Sequence, residues 1–245
     1  MISVTILVKN GEKRLKEVLA ALACFDDIIL YDTGSSDRTL EIAAQFPRVR
    51  VYQKQFIGFG PCHNEAAALA KHEWILSIDS DEVLSPQLAQ EIAGLTLDTG
   101  SVYSLPFFNF YNGKHIKWCG WYPESHIRLY HKQKTAFSEA MVHEGVMSQG
   151  LKKVTLSHPV YHYPYSSISD FLVKMERYST LFAQQYYTKK NASPLTAIIH
   201  GLAAFFRSFV LKRGFLGGYE GFLISVYNGH TAFYKYLKLY QANKN

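Results

Sequence analysis

Three carboxylates fall within four positions at the end of the run Trp74-Ile75-Leu76-Ser77-Ile78-Asp79-Ser80-Asp81-Glu82, straight after an apolar stretch of strand length. Acids this close repel and raise one another's pKa unless a positive charge stands between them, and a divalent cation is the usual answer. Hard cations such as Mg2+ take a few carboxylate oxygens and leave their other positions to water and phosphate. Asp-Ser-Asp at a strand end therefore reads as a metal and phosphate site suited to a nucleotide diphosphate. The plain alternative is a solvated acidic turn.

Further clusters offer related chemistry. Asp32-Thr33-Gly34-Ser35-Ser36-Asp37 follows a strand-like run, and its glycine lets the backbone turn while Asp32 presents an acceptor to a nucleobase imide. Capping of the next helix accounts for Asp37 but leaves Asp32 without a role. Asp-Thr-Gly-Ser also surrounds the carboxylate of aspartic proteases, yet that chemistry needs two copies sharing a proton and the chain has one. Gly58-Phe59-Gly60 with Cys62-His63-Asn64 sets a His and an Asn at a helix start, where free N–H groups favour anions; either side chain can touch a nucleotide or merely close a loop. Trp118-Cys119-Gly120-Trp121-Tyr122-Pro123-Glu124 joins two indoles to a carboxylate, a composition for stacking on a sugar while an acid handles its hydroxyls, although aromatics are more often core. Val142-His143-Glu144 supplies a base or a metal ligand. Asp79-Ser80-Asp81-Glu82-Val83 also matches the entry strand of haloacid-dehalogenase phosphatases, whose first Asp is a nucleophile. That chemistry needs paired acids late in the chain, and no Asp-Asp follows Val83.

The elements that must position these groups alternate. Ile2 to Val8 is a continuous apolar run, followed by helical spacing of Leu15, Val18, Leu19 and Leu22. Asp27 to Asp32 is a second strand, and Ser36 or Asp37 can cap a helix carrying Leu40, Ile42 and Ala43. A third strand spans Val49 to Gln53, Gly58 to Pro61 form a flexible loop, a helix covers Asn64 to His72, and a fourth strand covers Trp74 to Ile78. Such alternation predicts a parallel sheet whose ligands sit beyond the strands' carboxyl ends, where Asp32 and the Asp79 cluster both fall. A short helix after Ser85-Pro86 and strand-like stretches over Val102 to Tyr111 and Ser125 to Tyr130 make the second half of the sheet mixed. From Ser167 the pattern is helical: Phe171, Met175, Tyr178, Leu181 and Phe182 on one face, then Leu195 to Leu211, then Tyr219 to Tyr240.

Composition sets the outer bounds. With 48% hydrophobic and 19% charged residues the 245-residue chain can bury one good core plus an extension, and its 15% aromatic share exceeds what a core needs. Cys24, Cys62 and Cys119 show no Cys-x-x-Cys pair, which argues against a disulfide framework or zinc site and fits a reducing compartment. The start lacks a signal-peptide pattern, so the chain is expected to stay in the cytoplasm. Leu195 to Leu211 is interrupted by His200 and Arg207, so a membrane-spanning helix is not expected. Residues 1 to 150 carry 14 Lys+Arg against 17 Asp+Glu, and residues 151 to 245 carry 12 against 3. A basic, aromatic-rich tail suggests an anionic surface as partner, and its long apolar faces favour lipid over nucleic acid.

In order and spacing, Val4 to Asn10, Asp32-Thr33-Gly34-Ser35, Gly58-Phe59-Gly60 with Asn64, Ile75 to Glu82, Trp118 to Arg128 and Val142-His143-Glu144 resemble the family 2 glycosyltransferases. Within that family the chain is most similar to the bacterial lipopolysaccharide core enzymes that add β-linked glucose to an inner-core heptose. The resemblance implies an α/β, GT-A (Rossmann-like) nucleotide-sugar-binding domain with a mixed central sheet over residues 1–165, and a helical extension over 166–245. It implies a nucleotide-diphosphate sugar donor with UDP-glucose first, a Mg2+ or Mn2+ ion, inversion at the anomeric carbon, and a lipid-linked saccharide acceptor. Asp32 is assigned to the base, Asp79 to the ribose side and metal, and Asp81 to the metal, with His143 a further ligand candidate. Asn10, Ser35, His63, Asn64, Trp118, Trp121 and Arg128 are the other substrate-binding candidates. Glu144 is the first choice for the base that takes the acceptor proton and Glu124 the second. Relatives commonly carry Lys or Arg where His63 stands, so donor binding is expected to weaken as the imidazole loses its proton. The expected location is the cytoplasmic face of the inner membrane, with no nucleic-acid partner. A silent glycan-binding module is the remaining alternative.

Overall fold

The computed structural model describes residues 1–139 and 145–244. The strand β1 (Ile2–Val8) is buried along its whole length, as a strand covered on both faces must be. Next come α1 (Leu15–Ala21), β2 (Asp27–Asp32), α2 (Thr39–Ala43), β3 (Val49–Gln53), α3 (Phe59–Ala68), β4 (Trp74–Asp79), β5 (Glu82–Leu84), α4 (Pro86–Ala93) and β6 (Ser101–Tyr111). They are followed by β7 (Lys114–His115), β8 (Glu124–His131), β9 (Lys152–Thr155), β10 (Val160–His162), α5 (Ile168–Tyr186), α6 (Pro194–Phe206) and α7 (Gly218–Lys244). Ser85 caps α4 by accepting the Leu88 N–H, and Ser167 and Asp170 form a reciprocal capping box on α5.

The sheet runs in the order β3-β2-β1-β4-β8-β6-β10-β5. The first four strands are parallel, while β8 is antiparallel to both β4 and β6, and β10 is antiparallel to β5. It is therefore mixed, as the lapse in alternation predicts. Register places Asp32 opposite Val8 and Asp79 opposite Leu7, so the two acids flank β1 at the same end of the sheet. Two strand spacings put their backbones about 10 Å apart.

Several local expectations change. The Gly58-Phe59-Gly60-Pro61 block is not a free loop: Gly58, at φ 120, turns the chain, and α3 begins at Phe59. Pro61 falls in the first helical turn, where its missing N–H costs nothing. The helix ends at Ala68, short of His72. The residue before α2 is Arg38, and Asp37 serves the helix start from one position further back, its carboxylate accepting the N–H of Thr39, the first residue of α2, as well as that of Glu12. On α5 the buried positions are Phe171, Ser179 and Ala183, with Tyr178 turned outward.

The chain divides into two compact units, one formed by Met1–Phe108 and Glu124–His162, the other by Asn109–Pro123 and Tyr163–Asn245. In the first, α1 and α4 bury Leu15, Leu19, Leu88 and Ile92 against one face of the sheet, and Ile29, Ala67, Ile75 and Tyr130 pack on the opposite face. In the second, α7 packs with α5 and α6, and Tyr111, Ile116, Phe171 and Ile224 form a separate core.

One close approach fixes α3. A Cβ on Gly60 would lie 1.9 Å from the Ser138 carbonyl oxygen, whereas one on Gly145 would meet nothing within 4 Å. Gly60→Ala is expected to destabilise the fold by about 2 kcal/mol or more, and Gly145→Ala by less than about 0.5 kcal/mol, as read from urea midpoints.

Candidate active site

Period-two alternation along β4 sends Trp74, Leu76 and Ile78 into one core and turns Ile75, Ser77 and Asp79 to the face covered by α3. On the neighbouring strand Tyr103 of β6 faces Leu129, but Ser104 faces Ile127. Arg128 is thus the extra residue of a β-bulge, a device that re-aims a side chain. Its Nη2 donates to Asp79 Oδ2 at 2.9 Å and to Glu82 Oε1. Glu82 in turn accepts the Asp79 N–H through Oε2 at 3.0 Å.

The three charges set one another's protonation. Burial alone would raise the Asp79 pKa, but the Arg128 guanidinium, helped by His63, brings it down to about 2. Burial pushes Glu82 well above the usual carboxylate range, with Arg128 opposing and Asp79 and Asp81 adding to the rise. Burial would lower Arg128, and its two carboxylate partners overcome that, so it stays charged. The positive charge between two of the three acids is therefore an arginine, which corrects the expectation that the whole cluster demands a metal.

Asp81 stands apart from this triad. Its Oδ2 lies 3.7 Å from Nε2 of His162, which pairing of β10 with β5 sets opposite Glu82. Beneath them Phe107, 1% exposed, is edge-on to His126 at 4.8 Å and to His162 at 5.7 Å, with the Arg128 guanidinium 5.5 Å from its centroid. Glu124 Oε1 meets His126 Nε2 at 2.9 Å. Among the described residues no three His, Cys, Asp or Glu side chains converge on one point. The carboxylate suits a divalent ion such as Mg2+, which would leave most of its coordination to diphosphate oxygens and water, with the imidazole at most an auxiliary donor.

The other anticipated residues separate by role. Asp32 is fully buried, and its carboxylate accepts the Ser35 N–H at 3.1 Å and the Ser35 hydroxyl at 2.5 Å, so it shapes its own turn. Asn10, at φ 58, donates its N–H to Ser35 Oγ and accepts the Ser36 N–H, tying the loops after β1 and β2 together. Asn64 spends both ends of its amide on the backbone of Phe137, at 3.0 and 2.9 Å, which corrects its assignment to the nucleotide. His63 is 3% exposed, stacked on Phe137 at 4.3 Å, bonded to Ser77 and 3.9 Å from Asp79. Burial lowers its pKa from 6.5 to about 4, so it is neutral near pH 7 and the expectation of a titrating phosphate-binding cation is corrected. Trp118 and Trp121 belong to the second unit, where Trp121 stacks on Tyr165 and Trp118 packs on Gly217. Glu144 and His143 lie outside the described residues.

Glu82 was anticipated only as one of three clustered acids, with no role of its own, and His162, Phe107 and His126 were not anticipated. Nothing in their local sequence marks them; His162 gains meaning only from the β5–β10 pairing.

The sequence model for Glycosyl transferase family 2 matches residues 3–155. A Rickettsia bellii (strain RML369-C) protein described as an uncharacterized glycosyltransferase is 27% identical over 253 residues, covering 97% of this chain and 85% of the relative. The lipopolysaccharide core biosynthesis glycosyltransferase LpsC of Rhizobium meliloti (strain 1021) is 23% identical over 257 residues, covering 98% and 92%. Among solved structures, S. aureus TarS in complex with UDP-GlcNAc superimposes with a TM-score of 0.47 at 16% identity, covering 99% of this chain and 89% of that one.

Removing Arg128 leaves the buried Glu82 and the part-exposed Asp79 without their counter-charge. Arg128→Met is expected to cost about 3–5 kcal/mol in urea unfolding at neutral pH, with partial recovery when Glu82→Gln is added. His63 binds a proton more readily unfolded, at 6.5, than folded, at about 4, so protonation favours unfolding. Its contribution is intact above pH 6.5 and is lost as pH falls toward 4, on the order of 3 kcal/mol in all. Unfolding midpoints measured across that window should decline in the wild type and decline less in His63→Gln.

Proposed function

The chain belongs to the family 2 glycosyltransferases, and we propose that it moves a hexose, glucose first, from a nucleotide-diphosphate sugar to a saccharide acceptor with inversion. The observation that carries this reading is the division of labour among the strand-end acids. Arg128 pairs with both Asp79 and Glu82, while Asp81 and His162 stay paired at the turn after β4. That arrangement sets one acid beside one imidazole at the strand end, where a donor diphosphate would bind. Family membership removes the phosphatase reading, and likeness to LpsC supports a lipopolysaccharide core acceptor, in keeping with a lipid-linked heptose.

Asp81, with His162 at most an auxiliary donor, would hold a Mg2+ or Mn2+ ion, which when bound supplies charge stabilisation to a leaving diphosphate. Asp79, fixed by Arg128, is placed to orient the ribose side of the donor. Asp32, with Asn10 and Ser35, closes the same sheet end two strands away and is the candidate wall for the base. A carboxylate removes the proton from the acceptor hydroxyl. The oxygen then attacks the anomeric carbon from the face opposite the leaving group, and the bonding pair departs with the diphosphate. Glu144 remains the first candidate for that base. Glu124, held by His126 at 2.9 Å, is the second.

With UDP-glucose, Mn2+ and a heptose-terminated core oligosaccharide, Glu144→Gln is expected to lose about 10²- to 10⁴-fold in turnover while UDP still raises the melting temperature. Full turnover in that variant with loss in Glu124→Gln would transfer the role to Glu124. Failure of every nucleotide sugar to shift the melting temperature, with and without Mn2+, would defeat the donor reading.

A further inference from the structure

The helix α6 buries only a stripe of small residues, Ala197, Gly201 and, in the π-helical turn Arg207–Leu211 that continues it, Ser208. These allow close packing on α7: a Cβ on Gly201 would lie 3.0 Å from the Phe233 Cβ and 3.3 Å from the Gly229 carbonyl oxygen. Apart from Thr196 and His200 the rest of the helix is apolar, and all its large apolar side chains except Phe205 face outward. Leu195, Ile198, Ile199, Leu202 and Phe206 are 47% to 66% exposed, and Phe215 and Leu216 in the next turn are 52% and 55% exposed. A helix that is apolar all round is stable only when something covers it. On α7, Val226 and Phe233 line an apolar groove of about 380 Å3 against α6, while Phe222 is 51% exposed.

The charges around this face say what covers it. From Pro194 to Phe206 there is no Asp, Glu, Lys or Arg, while Lys189 and Lys190 precede the stretch and Arg207, Lys212 and Arg213 follow it. All three acids of the second unit are already engaged: Glu220 with Lys114, Glu176 with Lys238, and Asp170 in the cap of α5. No described carboxylate pairs with Arg207, Lys212 or Arg213, and Arg207 and Lys212 line a recess of about 320 Å3 with Trp121 and Asn228. A second copy of the chain docked face to face would bring these cations together. A spanning helix fares no better. Pro194–Leu211 has the length and apolarity to cross a membrane, but the uncharged part is 13 residues, roughly 20 Å against a hydrocarbon core of about 30 Å.

We propose that α6 and the Gly214–Gly217 turn lie in the plane of an anionic lipid bilayer. Leu195, Ile199, Leu202, Phe206, Phe215 and Leu216 enter the acyl boundary, and Arg207, Lys212 and Arg213 meet lipid phosphates. This goes beyond the transfer reaction and stands whether or not the donor assignment holds. The face would keep the chain at a membrane surface.

The full chain is tested by flotation with phosphatidylglycerol-containing and pure phosphatidylcholine vesicles. The wild type should float with the anionic vesicles and more weakly, or not at all, with the neutral ones. Leu202→Glu, at a position 66% exposed, should abolish flotation with an unchanged circular dichroism spectrum and unchanged hydrolysis of soluble nucleotide sugar. Lys212→Glu with Arg213→Glu should weaken it at least roughly tenfold, since each surface cation is worth about 1 kcal/mol. The proposal is overturned if the wild type ignores anionic vesicles, if Leu202→Glu floats as well as the wild type, or if the wild type is a dimer that Leu202→Glu splits and vesicles do not bind. Retention on vesicles through an alkaline carbonate wash would also overturn the in-plane placement.

Discussion

The guanidinium of Arg128 is the charge on which the first unit's functional end depends. Asp79 and Glu82 are fixed by it, and the backbone N–H of Asp79 closes the arrangement by donating to Glu82. Burial above all pushes Glu82 toward its protonated form, with the neighbouring acids adding to the rise, while the Arg128 guanidinium keeps Asp79 ionised. Such a triad is costly to bury and contributes stability only when complete. What it supplies is position. With Asp79 immobilised, the turn after β4 is set, and Asp81 is delivered beside His162.

The surrounding fold is built to keep that charge in place. A bulge in β8 frees Arg128 from the ladder with β6, and Phe107 gives its guanidinium an aromatic floor. His63 fills the space beside Asp79 as a neutral ring wedged between Ser77 and Phe137, so it packs the site without bringing a second cation into it. Asn64 and the near-contact of Gly60 with Ser138 hold the segment through Phe137 and Ser138 against α3. Several residues with the chemistry to bind a ligand thus maintain the wall next to the ligand.

The second unit solves a different problem. Its core is aromatic, with Tyr165 stacked on Phe171 at 3.8 Å and Trp121 and Tyr227 around them. The hairpin of β6 and β7 is tied to α7 by Lys114 and Asn112 on Glu220. Small residues on α6 and α7 allow those helices to touch at backbone level, and the large side chains of α6 are therefore left on the outside. An excess of basic residues accompanies that apolar surface.

Periodicity alone determined β1, β2 and β3 at their observed limits, the helix between Ser85 and Gly94, the mixed second half of the sheet and the helical tail. These are local consequences of side-chain spacing and capping, so they are legible without neighbours. Register then followed for Asp32 and Asp79, because parallel strands around one buried strand end together. Spacing pointed to Asp79 and Asp81 as chemistry but could not say which cation each would meet. That was decided by Arg128, 49 positions from Asp79, and by His162, aligned with Glu82 across β5 and β10. It was also tertiary burial that turned His63 from an expected phosphate ligand into a neutral core ring and gave Asn64 to the backbone of Phe137. Sequence spacing fixes which faces a residue can occupy. The charge a residue carries and the partner it takes depend on burial and on groups far away in the chain, which only the folded arrangement brings together.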